Sequence, residues 1–189
     1  MEQNTVEQNT VEQELKKYIK GTFTFNEDGS IDVDGDVTLS NQKLIGLPFR
    51  FNKVSGNFIC SDNYLYSLEG SPIYVGGNFS CGNNNLKSLK DAPKIVGEDF
   101  ECWSNYLKTL EGGPKEVGEK YECWGNELKT LKGAPKKVNG SFLCYSNKLE
   151  TLEGIPEKIG GNLICFENST RFTKKDVEKV SKVNGEINC

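Results

Sequence analysis

The chain has 189 residues, with 27 acidic against 23 basic side chains, a formal charge of −4 and no histidine. That balance argues against a general polyanion or anionic-membrane binder, and the missing imidazole removes the commonest general base and metal ligand. Apolar residues make up 35%, low for a thick globule but enough for a thin-cored solenoid, and no apolar run nears the ~20 residues that span a bilayer.

The N-terminal stretch MEQNTVEQNTVEQELKKYIK is polar and lacks the apolar centre of a signal peptide, so a cytoplasmic protein is expected. Within it, Val11, Leu15, Tyr18 and Ile19 share one face of a helix expected near residues 8–20. TFTFNEDGSIDV then reads as a hairpin turning at Asp28-Gly29. A degenerate first repeat over 33–53 follows, in which Val33, Val37, Leu39 and Leu44 align with Val54, Phe58, Cys60 and Leu65.

From there the chain is periodic. Cys60, Cys81, Cys102, Cys123, Cys144 and Cys165 stand 21 residues apart without slippage. An asparagine follows each by three residues, from Asn63 to Asn168, and leucines follow at fixed offsets, as Leu65 and Leu68 do after Cys60. Prolines recur from Pro72 to Pro156, and Phe58, Phe79, Phe100, Tyr121, Phe142 or Leu163 stands two before each cysteine. Such self-similarity is the mark of stacked coils. Each F-x-C is a short strand with Phe58 and Cys60 inward and Ile59 and Ser61 outward. The buried asparagines are expected to bond backbone groups of neighbouring coils. Gly and Pro hold a return arm too short for a full helix.

The pattern F-x-C-x-x-N-x-L resembles the leucine-rich repeat core L-x-L-x-x-N-x-L over roughly residues 31–168, with Cys in place of the second strand leucine. The short unit is similar to repeats of bacterial effectors and of small phage and large-virus proteins. The resemblance implies a repeat solenoid, α+β and strand-rich, with a parallel concave sheet of about eight short strands. Residues 1–32 are then an N-terminal helix and hairpin cap, 33–168 the repeats, and 169–189 a C-terminal helix and final strand. Thr173 with Asp176 opens that helix, expected to run to about Val183, and VNGEINC at 183–189 repeats VNGSFLC at 138–144.

Seven cysteines are too odd a count for a secreted disulfide framework. A straight ladder of thiols does not make the tetrahedron that zinc needs. They read as buried, reduced core residues. Asp28, Asp32, Asp34 and Asp36 alternate with Ile31, Val33 and Val37, which fits an exposed strand face better than a calcium loop. No carboxylate is paired with a nucleophile and an orienting group, so neither an enzyme nor a cofactor is expected.

The slot after each cysteine reads Ser40, Ser61, Gly82, Trp103, Trp124, Tyr145, Phe166. The outward slot before it carries Glu101, Glu122, Leu143 and Ile164 in the last four coils, with Asp99 nearby. Contiguous exposed aromatics mark interaction faces. These nine residues are the candidate partner-binding set. Glu101 and Glu122 favour a protein partner offering Arg or Lys, placed over an indole face, with the indole N–H groups left for its acceptors. The lysines at 87, 108, 129, 94, 115 and 136 read as a solvated flank. A non-catalytic protein-binding module is therefore expected. The phage likeness narrows it to an inhibitor of a host or defence protein acting in the host cytoplasm. Alternatives are a single-stranded nucleic-acid binder using the lysine flank and aromatic ridge, or the substrate-recognition domain of an effector enzyme.

Overall fold

The structure, a computed structural model, describes residues 10–189. It is a parallel β-solenoid of about eight turns. Strands β1 (Ile19–Phe25) and β2 (Ile31–Thr38) form the antiparallel hairpin that opens it, paired from Ile19 with Val37 to Phe25 with Ile31. The second half of β2 starts a row of parallel strands that continues through Phe58–Ile59, Phe79–Ser80, Phe100–Glu101, Tyr121–Glu122, Phe142–Leu143 and Leu163–Ile164 to Ile187–Asn188. Every pairing to Leu163–Ile164 keeps the 21-residue register, so like residues meet across the row.

The return arm is itself stranded. Its first half of β2 pairs with Phe51–Val54, then Tyr74–Val75, Ile95–Val96 and Glu116–Val117 follow in parallel. Lys137–Val138, Lys158–Ile159 and Lys182–Val183 form a separate three-stranded sheet. Each coil thus contributes two short strands, and one valine or isoleucine per return strand faces inward. β2 serves both rows, so it crosses the expected boundary between residues 32 and 33.

Between the rows runs one core, with Phe58, Cys60, Leu65, Leu68 and Val75 setting the pattern for each coil. Burying an aliphatic or phenyl side chain of this kind contributes about 1.5–3 kcal/mol. The inward rings stack down the axis, at 5.7 Å for Phe58–Phe79 and 5.6 Å for Phe79–Phe100. Tyr121 alone in that column carries a hydroxyl, buried without a hydrogen-bond partner. Gly113 makes room for it, since a methyl carbon there would come within 3.2 Å of the oxygen.

Three side-chain columns bond the backbone, the first two between coils and the third within each coil. The asparagines act as expected: Asn105 Oδ1 accepts the Leu86 N–H of the preceding coil at 2.9 Å, and its amide donates to Cys81 O at 3.0 Å and to Cys102 O in its own coil. A second column, not anticipated above, lies just before the inward rings. Asp36, Asn57, Asn78 and Asp99 each accept the backbone N–H of the next coil at 2.8–2.9 Å, and Ser141 and Asn162 resume the pattern after Lys120 interrupts it. In a third, Ser67, Ser88, Thr109, Thr130 and Thr151 each accept the N–H two residues on.

The ends differ from expectation. Among the described residues helix occupies 10–15, and the rest of the expected span ends in a turn because Ile19 is taken up by β1; residues 8 and 9 lie outside the described residues. Leu15 is fully buried and Tyr18 packs on the core. At the other end Thr173 caps a helix with the reciprocal Asp176 contact, but the helix covers only Lys174–Glu178. Ser181 Oγ donates to Pro156 O at 2.6 Å and Lys182 N–H to Glu157 O, which pulls the chain into the return row before a second turn forms. The last strand arrives as expected, three residues late.

The cysteine column also needs one correction. Cys60, Cys81, Cys102, Cys123 and Cys144 are free and buried, and loss of water pushes the thiols of Cys60 and Cys144 up to about 12. Cys165 and Cys189, however, are disulfide-bonded, so the expected set of seven reduced thiols becomes five. Parallel neighbours in this column hold their Cα atoms 4.5 Å apart at that step, within the reach of a disulfide.

Candidate partner-binding face

The outward slots of the cysteine-bearing row bring the predicted residues together. Trp103 and Trp124 stack with ring centroids 5.1 Å apart and planes 3° from parallel. Tyr145 continues the stack at 5.2 Å and Phe166 at 5.0 Å. All four rings are half-buried. The coil spacing imposes this distance: identical slots on parallel strands lie about 4.8 Å apart, and large flat side chains in consecutive slots have only each other to lie against.

The stack has a seat. Trp103 leans over Gly82, where a β-carbon would stand 2.3 Å from its Cε2. Gly82 is therefore more than a small residue in an aromatic column; its missing side chain is the space the first indole occupies. Ser40 and Ser61 close the column beyond it, their hydroxyls 3.3 Å apart.

Glu101 and Glu122 flank the indoles and are engaged by them. Trp103 Nε1 donates to Glu101 Oε2 at 3.4 Å, and Trp124 Nε1 donates to Glu122 Oε2 at 3.2 Å. Two sequence expectations change accordingly. The indole N–H groups are already used within the chain. The indole faces are turned toward neighbouring rings or toward Gly82, so a partner's cation has no free indole face to cover. Rings present their edges, and carboxylates present the charge. Burial holds the Glu122 carboxyl above its ordinary range, the Trp124 hydrogen bond opposes that, and the adjacent Glu101 charge adds to it.

Asp99 sits beside the acidic pair but belongs to the second backbone-bonding column. Its Oδ1 accepts the Lys120 N–H, and its Oδ2 lies 3.5 Å from Lys120 Nζ. Leu143 and Ile164 are half-buried beside Tyr145 and Phe166, so the face is acidic at the tryptophan end and apolar at the other. The lysine flank lies elsewhere, and part of it is paired: Lys129 with Glu150 at 2.8 Å and Lys136 with Glu157 at 3.6 Å.

The four aspartates near the hairpin are all engaged internally. Asp28 accepts from Ser30 and pairs with Arg50, Asp32 accepts from Asn26 and Asn52, Asp34 from Ser55 and Asp36 from Asn57. Among the described residues, no group of three or more Cys, Asp or Glu is placed to hold a metal ion. No described helix is long and apolar enough to cross a membrane.

The class of protein is thus a parallel β-solenoid built on coils of 21 residues, with one aromatic and acidic strip on its cysteine-bearing face. In comparisons with known proteins, no family model matches the chain, and no curated protein or solved structure matches it.

Proposed function

We propose that the chain is a non-catalytic binding module that holds another protein on the strip formed by Trp103, Trp124, Tyr145 and Phe166 with Glu101, Glu122, Leu143 and Ile164. One observation carries this reading. The coils before Trp103 keep the same backbone with Ser40, Ser61 and Gly82 in the aromatic slot, so the fold does not require rings there. Half-buried aromatic surface beyond structural need is what interface hot spots are made of. The partner this strip suits has Arg or Lys opposite the carboxylates and an apolar patch opposite Tyr145 and Phe166. A nucleic acid is a poorer fit, because bases stack on ring faces and these faces are turned to one another. The likeness of the 21-residue unit to leucine-rich repeats of phages and bacterial effectors supports the narrower form, a phage-encoded inhibitor of a host or defence protein.

Affinity capture from cells that make the protein tests this. The double variant Trp103→Ala/Trp124→Ala should hold the captured protein more weakly by at least ~2 kcal/mol, as for a pair of hot spots, while Lys108→Glu should change little. Normal capture by the tryptophan variant together with loss in Lys108→Glu would move the binding surface to the lysine flank.

A further inference from the structure

A second pair of aromatic side chains is arranged on the opposite principle. Tyr64 and Tyr106 occupy one column on the turns that follow the cysteine-bearing strands, but on alternate coils, with Asn85 between them. Both rings are more than half exposed, at 54% and 51%, and neither contacts another ring among the described residues. They rim a groove of about 610 Å³ whose lining includes Asp62, Asn83, Asn85 and Ser104. We infer that this groove is a binding site for one ring of a neutral saccharide, held between Tyr64 and Tyr106 over the Asn85 amide.

The spacing supports a ring-wide slot. Two coil steps of about 4.8 Å set the two tyrosines roughly 9–10 Å apart. A ring lying between two others at about 3.5–4.0 Å from each needs about 7–8 Å. A puckered pyranose, thicker than a planar base, takes up more of that span, and rotation about the tyrosine side-chain torsions closes the rest. On the tryptophan face consecutive slots let the rings fill one another; here the short Asn85 leaves the place empty.

The floor and rim supply polyol chemistry. A sugar's apolar C–H faces suit the tyrosine rings, while its hydroxyls need groups that both donate and accept, which amides and hydroxyls do. The Asn85 side chain has no hydrogen-bond partner among the described residues, and neither do the Tyr64 and Tyr106 hydroxyls. Asn83 donates to Asp62 at 2.8 Å, and both also serve left-handed backbone, so they frame the slot without being free for it. Lys43 at one end offsets the Asp62 charge, which suits a neutral ligand over a nucleotide or an acidic sugar. Aromatic walls with a few convergent polar groups are the usual make-up of a small-molecule site.

The test is an amide NMR titration of the full chain with cellotriose, maltotriose and chitotriose at millimolar concentration, with adenosine monophosphate and N-acetylphenylalaninamide as planar-ring probes. At least one trisaccharide should shift the Asn85 side-chain amide. Tyr64→Ala and Tyr106→Ala should each weaken that binding by about tenfold or more, a loss on the scale of one hot-spot contact. Asn85→Tyr should abolish it by filling the slot, with the melting temperature retained because the position is on the surface. Trp103→Ala/Trp124→Ala should leave it unchanged, which separates this site from the partner-binding strip. The inference is overturned if no trisaccharide moves Asn85, if binding survives Asn85→Tyr, or if only a planar-ring probe enters the groove.

Discussion

Two aromatic ladders run side by side through this solenoid, one on each surface of the same strands. The inner one, Phe58, Phe79, Phe100, Tyr121 and Phe142, is fully buried and is present in every regular coil to residue 142. The outer one, Trp103 to Phe166, is half-buried and begins only where Gly82 leaves space for it. Their ring spacings are nearly the same, 4.9–5.7 Å inside and 5.0–5.2 Å outside. Coil repeat, rather than ring attraction, therefore sets both distances. What separates them is necessity: removing the inner ladder empties the core, while three coils already do without the outer one. A ladder the fold can omit is the place to look for function.

The largest expected effect divides the two ladders directly. Phe100→Ala should cost about 3–5 kcal/mol in urea unfolding, the usual loss for a buried phenyl ring replaced by a cavity. Trp103→Ala should cost about 1 kcal/mol or less, since the lost contact is a cross-strand pair on an outward face. Equal losses for the two variants would make the tryptophans part of the core and remove the argument for a binding strip.

A smaller effect locates the start of the outer ladder. Gly82→Ala should destabilise by roughly 1–3 kcal/mol, as overpacking does, because the added methyl meets the Trp103 indole. In a Trp103→Ala background that penalty should vanish, leaving a coupling between the two sites that a double-mutant cycle measures. A penalty that persists without the indole would place the clash in the backbone instead.

The smallest effect is electrostatic. Burial raises the Glu122 carboxyl above its ordinary value of 4.5. The native state thus holds that proton more tightly than the unfolded chain, and stability falls as pH rises from 4.5 through the folded value. Glu122→Gln should flatten this slope, so the variant gains on the wild type as pH is raised across that window. An unchanged slope in thermal melts would show that the Trp124 hydrogen bond cancels the effect of burial.

Much of this architecture can be read in the chain because the repeat multiplies each signal. One cysteine two residues after a phenylalanine says little; six at a constant step state the coil length, the strand and its inward side. The asparagine column is equally plain, since a buried amide at fixed phase needs backbone partners in the next coil. The second column was visible too, as Asn57, Asn78, Asp99, Ser141 and Asn162 before the inward rings. It goes unnoticed because Lys120 and a change of residue type break the pattern, although a hydrogen-bond acceptor is all those positions share. Tyr64 and Tyr106 escape for another reason: a column with a gap carries no periodic signal.

The sequence by itself determined the 21-residue coil, the inward and outward slots, and the membership of the aromatic strip, because period-two strands and a strict repeat assign each side chain to a surface before any contact is known. Only the tertiary structure decided how those side chains spend their chemistry. The indole N–H groups turn back to Glu101 and Glu122, Cys165 joins Cys189, and both end helices stop early where strand pairing captures the chain. These outcomes depend on groups brought together across coils or by the chain's return, and a linear pattern records which slot a residue fills but not which neighbour satisfies it.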